Sequence, residues 1–268
     1  MTDPDPSLAL KEERARKIQA HDDLRNTPEF KAQQVRCVRL MEGAALGLHS
    51  TWLMASRCQS LIDDFLTFRF VDDTLQSIIS IWALANEGLH NPARREMRYL
   101  LEAASKHLYV DLKLMHANAR LSEKIAFLES TVSSSSVAFV SDMTLYGFDV
   151  AQNKEFIDEI SSTYSRLCQY VHRSPEQVSK SIALLSRGIS PGFDTAQEFE
   201  ALNQEITQLY DLVLVMHFNA LGLGLAGDLF VSLFDGMQAW PYHRTKHVAR
   251  VSRLFDYKFE RQKERNDA

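Results

Sequence analysis

Cysteine is scarce, and its spacing excludes two uses. Cys37, Cys58 and Cys168 form neither an even disulfide set nor a C-x-x-C metal pair, and no two lie within twenty residues of each other. A reducing, cytoplasmic setting is expected. The chain also lacks an excess of positive charge: 30 Lys and Arg against 35 Asp and Glu leave a formal net charge of −5. There is no general field to hold a polyanion, so nucleic-acid binding would need a local basic patch. Long apolar runs are missing too. The longest, residues 212–227, has His217 and Asn219 inside it and falls short of the about 20 apolar residues that a bilayer core requires. It reads as a buried helix, with no membrane partner. The first seven residues carry Asp3 and Asp5 and no apolar centre, the opposite of a secretory signal.

Strand alternation, repeat periods and a glycine-rich strand-to-helix turn are equally absent, whereas 45% hydrophobic residues suffice for a sizeable core. What is present is helical periodicity. The expected architecture is all-α: a helical bundle of five or more helices over residues 28–236. A charged N-terminal arm, 1–27, precedes it as a loosely attached helix or a disordered segment, and a basic C-terminal tail, 237–268, follows it. That tail from residue 243 holds eight Lys or Arg against four Asp or Glu, the one local basic element in the linear sequence.

Thr27-Pro28 signals the start of a long first core helix, carried by Phe30, Val35, Val38, Met41, Ala45, Leu48 and Trp52 into Leu61 and Phe65. Gly43 and Gly47 on it predict close approach of another helix. Asp72-Asp73-Thr74 opens a second helix with the stripe Leu75, Ile78, Ile79, Trp82 and Leu89. Asn91-Pro92 reads as cap and first residue of a third, which buries Met97, Leu101, Ala104, Leu108, Leu112 and Met115. A fourth covers residues 120–128. Residues 137–148 read as a short strand or a helical turn. Phe156, Ile160, Tyr164, Leu167 and Val171 form the stripe of a helix that stops before Ser174-Pro175, where another opens and runs to Arg187. Thr195 and Glu198 form a capping box for a long helix through Phe234, and Trp240-Pro241 ends the compact part.

Several constellations could carry chemistry. Gly222, Gly224 and Gly227 match G-x-G-x-x-G in letter, but the run lies in a helix rather than after a strand, so no cofactor is implied, and Ala220 with Gly224 reads as a flat packing patch. Glu87 and His90 have the i, i+3 spacing of di-iron bundles without a second copy, and His243 with His247 reads as a solvated pair, so no metal is assigned. On the third helix Arg98 and Glu102, and His107 and Asp111, are each four apart at the borders of the stripe. Asp111 falls near the buried arc, where it either pairs with His107 or shapes a polar pocket.

The remaining run is Tyr164 to Pro175. Arg166 and His172 sit about 120° apart on an ideal helix. They converge only if the helix unwinds before Pro175 or if a second copy supplies the complementary residue. Otherwise they are ordinary helix-end charges. Arg166, five intervening residues and His172 at a helix end resemble the R-x(4–6)-H motif of HEPN-like domains, many of them metal-independent ribonucleases of toxin–antitoxin and antiviral defence systems. Residues 94–106 together with 164–174 also resemble a group of bacterial helical proteins related to that class. Leu167 departs from the pattern, since active members usually carry a polar residue after the arginine.

The resemblance implies an endoribonuclease in which His172 assists proton transfer at the 2′-hydroxyl and Arg166 stabilises phosphate charge. Glu102, His107, Asp111 and Tyr164 are the supporting polar residues, and two motifs face each other in a homodimer. It implies RNA or an antitoxin-like protein as partner. The competing expectation is a non-enzymatic helical interaction or regulatory protein in which these residues are structural.

Overall fold

The computed structural model describes residues 6–115, 118–132, 136–171, 175, 178–179, 182 and 195–255. Among them the chain is all-α, a helical bundle with no strand. The helices are α1 (Pro6–Arg25), α2 (Pro28–Ala55), α3 (Gln59–Asp64), α4 (Leu66–Arg69), α5 (Val71–Asn86), α6 (His90–Leu114), α7 (Leu121–Thr131), α8 (Val150–Cys168), α9 (Ala196–Leu221), α10 (Leu223–Ser232) and α11 (Lys246–Ser252).

The centre of the bundle is α9. Every residue from Leu209 to Leu221 is buried, as expected of a helix that is apolar all round. Helices α2, α4, α6, α8, α10 and α11 pack against it. Its start is set by the expected capping box, Thr195 accepting from the Glu198 amide at 3.2 Å and Glu198 from the Thr195 amide at 2.9 Å. Its end differs from the sequence expectation. The apolar run to Phe234 is broken at Gly222, whose φ of 79° suits glycine, and α10 leaves at 119° to α9. Gly222 and Gly224 have open space around them rather than a packed neighbour. Among the described residues no single helix is long and apolar enough to cross a membrane.

The first core helix is also shorter than its periodicity predicts. Thr27 caps α2 through the Phe30 amide at 3.3 Å, with Pro28 in the first turn, as read. The helix then stops at Ala55, and α3 and α4 follow around the extended Phe65. The break is held from a distance: Asp111 on α6 accepts from the Leu66 and Thr67 amides at 3.0 and 2.9 Å and from the Thr67 hydroxyl at 2.8 Å. A carboxylate at that helix start satisfies orphan amides and opposes the dipole.

Gly43 and Gly47 are close-approach positions. A Cβ on Gly47 would collide with Leu214 of α9, and one on Gly43 with Pro241. The second neighbour belongs to a segment assigned from sequence to a peripheral tail. In the fold, Trp240 donates from Nε1 to the Gly43 carbonyl at 2.8 Å and stacks on Phe234 at 4.2 Å, while Tyr242 donates to the Leu40 carbonyl at 2.8 Å. Val248, Val251 and Phe255 are buried as well. The core therefore continues to Phe255, because aromatic anchors and the Asp211 cap on α11 outweigh the local excess of charge.

Smaller differences have local causes. Helix α5 buries Val71, Thr74, Ser77, Ile78, Ile81 and Ala85 and leaves Ile79 exposed, because its small and hydroxyl side chains face the neighbouring helices; Leu89, expected on its stripe, lies beyond its end and is exposed. Helix α6 starts at His90 rather than at Pro92, after the left-handed Gly88. Residues 138–142 form a 3-10 turn, not a strand. The N-terminal arm is helical over Pro6–Arg25 and tied down at its end, where Arg25 donates to the Asn86 carbonyl at 2.5 Å. The helix expected over residues 175–187 falls mostly outside the described residues.

Candidate functional site

Helix α8 begins with a reciprocal cap, Asp149 accepting from the Gln152 amide at 2.8 Å and Gln152 from the Asp149 amide at 3.3 Å. Phe156, Ile160, Tyr164 and Leu167 then face the core, as their spacing predicts. The helix ends at Cys168 instead of Val171: the Tyr170 and Val171 amides bond back to Leu167 and Cys168 at 3.1 and 3.0 Å, and Val171 is exposed. The chain thus leaves the helix before Pro175. His172, with Arg173 and Ser174, lies outside the described residues.

Tyr164 and Arg166 leave α8 on opposite flanks. Toward α6, the Tyr164 hydroxyl accepts from Arg98 Nη2 at 2.6 Å and donates to Glu102 Oε2 at 3.1 Å. Glu102 also pairs with Arg98 at 3.3 Å and with Lys106 at 2.8 Å. Burial and the Glu102 carboxylate push the Tyr164 phenol up to about 12, against the pull of Arg98, so it stays protonated as a hydrogen-bond bridge. Burial works against the charge on Arg98, but its bonds to Cys168 Sγ at 3.2 Å and to Tyr164 raise its pKa further above the usual guanidinium range.

Toward α9, Arg166 is exposed and donates from Nη2 to Gln208 Oε1 at 2.8 Å. Gln208 Nε2 in turn donates to Glu159 Oε1 at 2.8 Å. Glu159 receives His247 Nε2 at 3.0 Å and Lys246 Nζ, both from α11. The His247 bond, opposed by burial and helped by Lys246, lowers the Glu159 carboxyl to about 2. His247 was read as part of a solvated pair, yet it is fully buried, edge-on to Phe156 at 4.9 Å.

At the end of α8 two more arginines of α6 converge. Arg94 lies 4.8 Å over the Tyr170 ring, and Arg95 Nε donates to the Tyr170 carbonyl at 2.9 Å. Guanidinium groups at this end oppose the negative pole of the helix.

The other sequence-selected residues lie along α6. Asp111 is wholly buried and does not pair with His107: Lys124 of α7 donates to it at 3.0 Å. Burial raises the Asp111 pKa, while Lys124 and Thr67 pull the other way. His107 stacks on Phe70 at 5.1 Å. Burial, then the nearby His217, lowers it to about 4, so it is neutral at pH 7. Tyr99, Glu102, Ala103, Lys106, His107 and Leu128 line a small cleft of about 150 Å³.

Helices α6 and α8 therefore pack together, as two striped helices with polar borders should, and Glu102 meets Tyr164 there. They bring neither Asp111 nor His107 into contact with Arg166. Arg94, Arg95 and Tyr170 were not singled out in sequence, although 94–106 and 164–174 are the stretches that carry the resemblance; Gln208 and Glu159, set by the packing of three separate helices, gave no signal. No family model, curated protein or solved structure matches this chain.

Proposed function

We propose that the protein is a metal-independent endoribonuclease of the HEPN-like type and that the end of α8 is its working edge. The observation that carries this reading is the convergence of guanidinium groups there. Arg94, Arg95 and Arg98 of α6 all reach the last turns of α8 or Tyr170 just beyond, and Arg166 stands exposed on the same helix. His172 and Arg173 follow directly in the chain. Arg94 and Arg98 are balanced by Glu205 and Glu102, whereas Arg95 and Arg166 have no carboxylate partner among the described residues. In a chain of net charge −5, this is the local cationic edge that a polyanion requires.

In this reading His172 takes the proton of an RNA 2′-hydroxyl as its oxygen bonds to phosphorus. The bond from phosphorus to the 5′-oxygen breaks, and that oxygen takes a proton from water and leaves as a 5′-hydroxyl, giving a 2′,3′-cyclic phosphate. Arg166 stabilises the charge that gathers on the phosphoryl oxygens. A homodimer sets two such edges against each other, and RNA or an antitoxin-like protein is the partner. The test is cleavage of a structured RNA mixture by purified protein in the presence of a chelator, compared with Arg166→Ala and His172→Ala.

One observation favours a second reading. Arg94 is engaged with Glu205 of α9 and the Tyr170 ring, Arg95 with the Tyr170 carbonyl and Arg98 with Tyr164, so all three pin α6 to its neighbours, and Arg166 is bonded to Gln208. These contacts suit a non-enzymatic helical interaction or regulatory protein, and in that case the purified protein cleaves no RNA.

A further inference from the structure

We propose that Gln208 is the positioning residue for Arg166, an amide link through which the Glu159 carboxylate sets the aim of the guanidinium. The inference rests on Arg166 being the group that meets phosphate.

Arg166 is an exposed, long side chain whose rotamers are otherwise unrestrained by packing. Its single tie among the described residues is Nη2 to Gln208 Oε1 at 2.8 Å, which leaves its other N–H groups to face a ligand. The Gln208 amide has only one workable orientation. Its oxygen must accept from the cationic Arg166, and its nitrogen must donate to Glu159 Oε1, also at 2.8 Å. A flip would oppose oxygen to carboxylate and nitrogen to guanidinium.

The far end of the link is rigid. Glu159 is gripped by Lys246 and by the buried His247, which must donate from Nε2 because a carboxylate only accepts; its Nδ1 has no partner among the described residues. The backbone of α11 is fixed in turn by Asp211 of α9, which accepts from the His247 and Val248 amides at 2.9 Å each and from the Thr245 hydroxyl at 2.6 Å. Glu159 has His247 and Lys246 without Gln208, so the bond between amide and guanidinium is the step that reaches outward to Arg166. Three helices thereby converge on the direction of one side chain.

The experiment pairs a motional readout with a kinetic one on full-length protein. Gln208→Met keeps the length of the side chain and removes both hydrogen bonds. The expected result is a fall in the ¹⁵N order parameter of the Arg166 Nε–H, assigned by its loss in Arg166→Ala, with the backbone spectrum unchanged. On an RNA substrate, kcat falls about 100-fold while KM stays within about threefold, the signature of a misaimed group. Should Gln208→Met fail to fold, Gln208→Ala is read in the same way. An Arg166 signal equally ordered in wild type and variant overturns the inference. So does unchanged kcat in Gln208→Met when Arg166→Ala is inactive, and in that case the ribonuclease reading stands. Wild-type protein that cleaves no RNA, with Arg166 still loosened by Gln208→Met, sinks the ribonuclease reading and leaves the link as a device for aiming Arg166 at another anion.

Discussion

Arg94 of α6 and Glu205 of α9 meet as a two-point ion pair, Nε to Oε2 at 2.9 Å and Nη2 to Oε1 at 3.0 Å, while the guanidinium plane lies over Tyr170. One side chain thus joins three parts of the bundle: the helix that carries it, the central helix and the end of α8. The Arg94 side chain is only 10% exposed, so the pair is poorly screened by water.

Arg94→Ala is expected to destabilise the protein by about 2–4 kcal/mol, since it strands the Glu205 carboxylate and uncovers Tyr170. Arg94→Lys should recover only part of the loss, because an ammonium cannot make the two-point contact. Urea unfolding at pH 7 measures both. A lysine variant as stable as wild type would show that only the charge matters.

Lys124 and Asp111 form the deepest ion pair among the described residues, with side chains 1% and 0% exposed, and Lys124 also lies 3.8 Å from the centre of the Phe65 ring. Lys124→Met should cost about 3–5 kcal/mol by leaving Asp111 charged and buried. Asp111→Asn should also be destabilising, yet the double variant should be less damaged than the sum of the two. Strict additivity in a double-mutant cycle would refute the coupling.

Two neutral histidines set the acid response. Burial lowers both His107 and His217 from 6.5 to about 4. Above pH 6.5 both states of the protein hold them neutral, and stability is complete. As pH falls from 6.5 toward 4 the unfolded chain takes up protons that the folded chain refuses, so stability is lost, at up to about 1.4 kcal/mol per pH unit for each histidine. Glu159, lowered from 4.5 to about 2, adds its loss as pH falls through 4.5 toward 2. Asp111, raised above 3.8 by burial, acts in the opposite sense, so the histidine contribution is read between pH 6.5 and 5 as the difference between wild type and a histidine variant. His217→Phe should make stability flatter with pH over this interval, checked by thermal unfolding in a pH series; an unchanged slope would contradict the assignment.

The helical class and the caps at Thr27, Asp149 and Thr195 depend on residues adjacent in sequence. Thr27 and Thr195 were legible as start signals for that reason. What escaped depends on distance. The start of α4 just after Phe65 relies on a carboxylate from α6, and the docking of Trp240 and Tyr242 relies on backbone carbonyls of α2. Residues 243–268 read as a tail because charge was counted along the chain. Lys246 and Arg250 instead turn their charges onto Glu155 and Glu159 of α8, and His247 bonds to Glu159.

For the site the division is similar. That α6 and α8 pack side by side follows from their stripes, but Tyr164 is a stripe residue in sequence and its bond to Glu102 emerges only in the fold. Gln208, an ordinary polar residue on a long helix, could not be singled out until Arg166 and Glu159 were seen on either side of it. Periodicity says which way a residue faces, not which residue it meets.

The central claim is that the end of α8 cleaves RNA by attack of a 2′-hydroxyl, and end-group analysis with wild type, Arg166→Ala and His172→Ala tests it most directly. The substrate is a labelled oligoribonucleotide in chelator, beside the same strand with a single 2′-deoxy residue at the cut. Wild type should yield a 2′,3′-cyclic phosphate and a 5′-hydroxyl from the first and leave the second whole, while each variant is slower by at least about 100-fold. No cleavage by wild type, equal cleavage by the variants, or cutting of the 2′-deoxy strand would contradict it.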